Sequence, residues 1–165
     1  MARITRQQLL AYQELDSTQD LTPAEHTAWQ AARDATAHAY APYSGFHVGA
    51  ALLLADGTIF SGSNQENAAY PSGLCAERTA LFGLAAARAG HAPIVSMAVA
   101  ARPAVGNFGM AFPCGACRQV MLEYETRQGE PITLLLPSRT GTILRFPSLA
   151  LLLPFNFSAA DLPPA

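Results

Sequence analysis

Lysine is missing from this chain of 165 residues; all ten basic residues are arginines, scattered singly from Arg3 to Arg145. With a formal net charge of −2, nothing in it resembles the basic stripe that a phosphate backbone requires. Long nucleic acid is not an expected partner. Long hydrophobic runs are lacking too. The longest, Val48 to Ala55, is interrupted only by Gly49 and is far too short to span a bilayer. The opening residues, MARITRQQLL, lack the apolar stretch and small-residue cleavage site of a secretory signal. No membrane association is expected, and the expected location is the cytoplasm. There are only three cysteines. In that compartment they read as metal-binding or catalytic thiols rather than as a disulfide framework. Repeats, low-complexity tracts and linkers are also absent. One domain over residues 1–165 is expected, and a chain of this size buries about 68–70% of its unfolded surface.

What is present has a clear rhythm. Residues 1–21 show no period and are assigned no structure. Thr22-Pro23-Ala24-Glu25 reads as a helix start, with Thr22 as N-cap, Pro23 at the first position and Glu25 closing a capping box. That helix is expected to reach about Tyr40, before Ala41-Pro42. Val48 to Leu54 reads as a buried strand, Asp56-Gly57 as a turn, and Thr58 to Gly62 as a second strand. Residues 63–74 are loop, and Cys75 opens an alanine-rich helix ending near Gly90. Ile94 to Ala101 is β-type, 102–113 loop and Gly115 to Thr126 helical. Ile132 to Leu136 and Thr142 to Phe146 flank five residues, too few for a parallel crossover, so they predict an antiparallel hairpin. The expected fold is an α/β/α sandwich around a mixed sheet of five strands.

Cys75 and the Cys114/Cys117 pair each follow a loop and begin a helix. Helix N-termini offer free N–H groups and positive potential, which favour thiolate over thiol. Two such ends facing each other would hold three thiolates around one zinc ion and leave the fourth position to water. Glu77 sits too close in sequence to Cys75 to bind the same metal comfortably, yet is well placed to exchange protons with that water. Three thiolates leave zinc with net negative charge. Arg78, one turn along from Cys75, would offset it.

Cys75-Ala76-Glu77 followed by Pro113-Cys114-Gly115-Ala116-Cys117 resembles the zinc-dependent deaminase signature. The stretches YSGFHVGAAL, NQENAAYPSGLCAERTAL and PCGACRQV more closely resemble the small cytidine deaminases acting on free nucleosides. The resemblance implies Cys75, Cys114 and Cys117 as zinc ligands and Glu77 as proton shuttle between the activated water, N3 of cytosine and the departing amino group. It implies that Asn64 and Glu66 hold the 3′-hydroxyl, that Phe46 packs on the pyrimidine, and that the Ala76 backbone reads the base edge. It further implies a homotetramer with shared sites, in which Ala68 and Tyr70 reach the 5′-hydroxyl of a neighbour and Phe157 covers a neighbour's base. Cytidine and 2′-deoxycytidine are the implied substrates, in pyrimidine salvage. The departures are His47 in place of a common proline, Phe112 in place of a common serine, a longer loop over 102–112, and a longer stretch before Thr22. They bear on the pocket rim and on specificity at the 5′ side, not on the zinc chemistry.

Other readings of the same residues are a redox dithiol at Cys114/Cys117, and a structural zinc site with one of the four histidines as fourth ligand. A blasticidin-type antibiotic deaminase and a catalytically silent zinc protein are two more. The third thiol, Glu77 and the Asn64-x-Glu66 pair weigh against these. Trp29 reads as core packing and Arg118 as structural.

Overall fold

The computed structural model describes residues 4–87, 90 and 92–163. Their order is β1 (Gln13–Leu15), α1 (Pro23–Ala35), β2 (Phe46–Leu54), β3 (Ile59–Ser63), α2 (Ala76–Ala87), β4 (Ile94–Pro103), α3 (Gly115–Gln128), β5 (Thr133–Pro137) and β6 (Ile143–Phe146). The strands form one mixed sheet in the order β1-β6-β5-β4-β2-β3. The β4–β5 pair is parallel and the others antiparallel, including the expected β5–β6 hairpin.

Each element has a local cause. At the start of α1, Thr22 Oγ1 accepts from the Glu25 N–H (3.2 Å), while Glu25 Oε2 accepts from the Thr22 N–H (3.0 Å). This is the anticipated capping box. The other Glu25 oxygen accepts from Arg145 Nε on β6 at 2.7 Å, so the cap also pins α1 to the sheet. Burial works against the charge on Glu25, but Arg145 and Thr22 outweigh it and hold the carboxyl below its ordinary 4.5. α1 stops short of Tyr40. A 3-10 turn at Thr36–His38 follows it, and the Thr36 hydroxyl donates to the Arg33 carbonyl (2.7 Å), competing with a further helical turn. Tyr40 is needed in extended form because its backbone bridges Gln65.

The sheet has six strands rather than five. The additional one, β1, comes from the residues to which the sequence assigns no structure. Three residues without alternation carry no strand signal, and tertiary contacts make this one. Arg145 Nη1 donates to Gln13 Oε1 (3.1 Å), the Thr140 and Thr142 hydroxyls donate to Glu14, and the Tyr12 ring stacks on Phe146 with centroids 5.1 Å apart.

Helices cover both faces of the sheet, which explains the uninterrupted apolar character of β2. Ala50, Leu52 and Leu54 enter one core with Leu81, Leu84 and Met121 of α2 and α3. Ala51 and Leu53 point the other way, to Trp29 and Ala32 of α1. Trp29 is a core residue, as its sequence context suggests. The contact of α1 with β2 is close enough to dictate residue type. A Cβ on Gly49 would lie 2.0 Å from the Ala32 carbonyl oxygen. Alanines on both surfaces and a glycine beneath allow that approach.

Topology then places the helix ends. β3 and β4 both pair antiparallel with β2, so they run in the same direction. The helices that follow them, α2 and α3, therefore begin at the same end of the sheet. Ligands of α/β proteins collect outside the carboxyl ends of strands for this reason. Along its length α3 also grips the chain's final segment. The buried Glu125 carboxylate accepts from the N–H groups of Ile132, Leu149 and Ala150 and from the Ser148 hydroxyl.

The Gly49 contact gives a first prediction. Gly49→Ala should cost about 3 kcal/mol or more in denaturant unfolding, since two backbones must separate to admit the methyl group. A loss under about 0.5 kcal/mol would show that the α1–β2 contact tolerates expansion.

Candidate metal centre and its cavity

Cys75 immediately precedes α2. Cys114 is the N-cap of α3, and Cys117 lies in its first turn. The three Sγ atoms lie within 4.8 Å of one another. Cys117 is fully buried, Cys75 half-buried and Cys114 exposed. The Cys75–Cys114 sulfur separation is 3.9 Å. Tetrahedral zinc with Zn–S bonds of about 2.3 Å separates its sulfurs by about 3.8 Å, so this spacing suits the ion.

The proton chemistry of the trio points the same way. The Cys75 thiol is pulled down to about 5, chiefly by its hydrogen bond with Cys117, against burial and with help from Arg78 and Cys114. The Cys117 thiol is pushed up by that same contact, by burial and by the negative charge of Glu77. Negative charge on Cys75 thus opposes a second negative charge on Cys117. A bound dication relieves the repulsion and accepts all three as thiolates. The donor set fits zinc.

Arg78 stands beside it. Its Nη2 lies 3.9 Å from Cys75 Sγ and donates to the Gly73 carbonyl at 3.4 Å, while its Nε is buried without a hydrogen-bond partner. Burial opposes the Arg78 charge, but Cys75 and Cys117 more than compensate and hold its pKa above the ordinary value. Glu77 is 4% exposed. Burial above all, and then the charge of Cys75, hold its carboxyl above the ordinary 4.5, opposed by its own backbone N–H and by Arg78.

A cavity of about 760 Å³ opens over Cys75 and Cys114, and Asn64, Glu66, Ala68, Tyr70 and Arg78 are among the other residues lining it. The loop of residues 64–67, which lines the same cavity, is held by main-chain bonds. Tyr40 N–H donates to the Asn64 carbonyl (3.0 Å), Glu66 N–H to the Tyr40 carbonyl (2.8 Å), and Gln65 exchanges both its bonds with Leu74. Asn64 Oδ1 accepts from the Val48 N–H (2.8 Å) and Nδ2 donates to the Phe46 carbonyl (2.9 Å). Glu66 Oε2 accepts from the N–H groups of Tyr43 (2.9 Å) and Ser44 (3.3 Å), and Oε1 accepts from the Ser44 hydroxyl. These bonds, the Ser44 hydroxyl foremost, hold the Glu66 carboxyl below its ordinary 4.5.

Most residues singled out in the sequence thus converge. Ala76 is buried at the first turn of α2. Ala68 and Tyr70 sit on the rim of their own chain's cavity, with Tyr70 91% exposed. Phe46 is reached through its backbone by Asn64, and its side chain is 43% exposed. Phe157 lies apart from the cavity wall; its carbonyl accepts from Gln119 Nε2 (2.8 Å) and its side chain is 60% exposed. Arg118 acts structurally, donating to the carbonyls of Pro113 (3.0 Å) and Leu152 (3.3 Å). Among the described residues no histidine joins the thiol cluster. His26 and His38 are exposed, His47 Nδ1 faces the Thr36 carbonyl, and His91 lies outside the described residues. Ser44 and Tyr43, which fix Glu66, carry no role in the sequence reading. The Ser44-Gly45 turn signal, with Gly45 at φ +63°, marks where that fixing happens.

Comparison with known proteins agrees with this geometry. Residues 23–129 match the model of the cytidine and deoxycytidylate deaminase zinc-binding region. A cytidine deaminase from Sporosarcina psychrophila is 44% identical over 130 residues, covering 79% of this chain and 88% of that protein. The match to the cytidine deaminase of Halalkalibacterium halodurans is 52% identical but shorter, covering 52% of this chain and 60% of that protein. The crystal structure of cytidine deaminase from Burkholderia pseudomallei superposes with a TM-score of 0.67 at 43% identity, covering 83% of this chain and all of that one. With its three-thiol centre, its mixed α/β/α sandwich and these likenesses, the chain belongs to the zinc-binding cytidine and deoxycytidylate deaminase family.

Proposed function

We propose that this protein hydrolyses free cytidine and 2′-deoxycytidine to uridine and 2′-deoxyuridine with release of ammonia, a reaction of pyrimidine salvage. The observation that carries the reading is a buried carboxyl, Glu77, in the first turn of α2 and in electrostatic contact with Cys75 and Cys117, next to a cavity lined by Cys75, Cys114 and a loop of fixed polar groups.

Cys75, Cys114 and Cys117 hold the zinc. When bound, the metal supplies the Lewis acidity that lets water act as a nucleophile at neutral pH. Glu77 takes a proton from the attacking water and delivers it to N3 of cytosine as oxygen bonds to C4. It then carries the second water proton to the exocyclic nitrogen, which leaves as ammonia. A carboxyl held above its ordinary value suits this duty, because it must both accept and return a proton. Arg78 offsets the charge of the thiolates.

The Asn64–Glu66 loop addresses the sugar. Phe46 packs on the pyrimidine, and the Ala76 backbone reads the base edge. A homotetramer completes each site, with Ala68, Tyr70 and Phe157 contributing across the subunit boundary. The location is the cytoplasm; no helix among the described residues is long and apolar enough to cross a membrane.

Three outcomes test this reading. Cytidine added to the zinc-loaded protein should show the ultraviolet change of conversion to uridine. Conversion should vanish after chelation and return with zinc; a folded, zinc-loaded sample without it would point to another aminated nucleoside. Glu77→Gln should keep its zinc while kcat falls about 10²- to 10⁴-fold, and near-native turnover would remove Glu77 from the proton path. Cytidine and 2′-deoxycytidine should differ by less than about tenfold in kcat/KM, because no side chain is set aside for the 2′-hydroxyl. A preference of several hundredfold would show that one is.

A further inference from the structure

Ser44 is the hinge between the two halves of the sugar clamp. Its hydroxyl donates to Glu66 Oε1 and accepts from the Phe46 N–H at 3.0 Å. Phe46 is in turn tied through its carbonyl to Asn64 Nδ2. One hydroxyl therefore links the carboxylate, the start of β2 and, through β2, the amide.

Counting donors and acceptors shows what remains free. A carboxylate offers about four acceptor positions, two on each oxygen. On Glu66, the N–H groups of Tyr43 and Ser44 fill Oε2, and the Ser44 hydroxyl takes one position on Oε1. One acceptor is left. Asn64 spends its oxygen on the Val48 N–H and one N–H on the Phe46 carbonyl, which leaves one donor. One acceptor beside one donor is the complement of a single hydroxyl group. Without Ser44, Oε1 would have no protein partner. The Glu66 side chain stands at a solvent-facing rim, and with only Oε2 still held by the Tyr43 and Ser44 N–H groups, Oε1 can swing about that anchor and its remaining acceptor loses its fixed direction.

Building on the nucleoside deaminase reading, we propose that Ser44 is a positioning residue that fixes Glu66 Oε1 for one sugar hydroxyl, the 3′-hydroxyl, and so sets the discrimination against nucleosides lacking it. The substrates favoured are those with a free 3′-hydroxyl, whatever stands at the 2′ position.

The test compares 2′-deoxycytidine with 2′,3′-dideoxycytidine, which differ only in that hydroxyl. In Ser44→Ala, the ratio of their kcat/KM values should fall by about 10- to 100-fold, the scale of a hydrogen bond to a charged group. Zinc content should be unchanged, and Ser44→Thr, which keeps the hydroxyl, should restore the ratio. In a Glu66→Gln background, Ser44→Ala should have little further effect on 2′-deoxycytidine, because the two act as one unit. Equal losses on both nucleosides, or effects that add in full in the double variant, would overturn the role given to Ser44. A wild-type protein that turns over neither cytidine nor 2′-deoxycytidine would overturn the deaminase reading itself, whereas turnover with an unmoved ratio overturns Ser44 alone.

Discussion

Three sulfur atoms within 4.8 Å of one another form a donor set made for a cation, and the surrounding architecture brings them together. The cluster depends on two helices starting at the same end of one sheet. That in turn depends on β2 lying between β3 and β4 and running against both. Reversing the direction of either neighbour would carry one helix start to the far end of the sheet. The fully buried Cys117 and the exposed Cys114 differ in surroundings, yet the first turn of one helix aims both at Cys75.

Much of this was legible in the chain. The capping box at Thr22–Glu25, the apolar run of β2 and the five-residue hairpin connection each have a local physical cause, and each was found where that cause placed it. The metal ligands were legible for a different reason. Cysteine is scarce here, and two of its three appearances mark helix starts. Glu77 stands out in the sequence by its place beside one of them.

What was not legible rests on distant contacts. β1 is a strand because Arg145, Thr140 and Thr142 receive its side chains and Phe146 receives that of the preceding Tyr12, and nothing within Gln13–Leu15 announces them. α1 ends at Ala35 because Thr36 turns its hydroxyl onto the helix and Tyr40 is claimed by the loop at Gln65. The fixing of Glu66 by Tyr43 and Ser44 joins residues more than twenty positions apart. Hydrogen bonds of that reach leave no periodic trace in a sequence.

One feature of α3 links two functions that the chain keeps far apart in sequence. Its first turn carries Cys117, followed at once by Arg118 and Gln119, whose side chains bond the carbonyls of Pro113, Leu152 and Phe157. Two turns later Glu125 clamps residues 148–150. The helix is thus a splint, with two of the three clustered thiols at one end and residues 148–157 bonded along its side. Because Arg118, Gln119 and Glu125 all stand on this one helix, the thiols and the segment that carries Phe157 share a single support. What positions two of the three thiols therefore also positions part of the protein's outer surface.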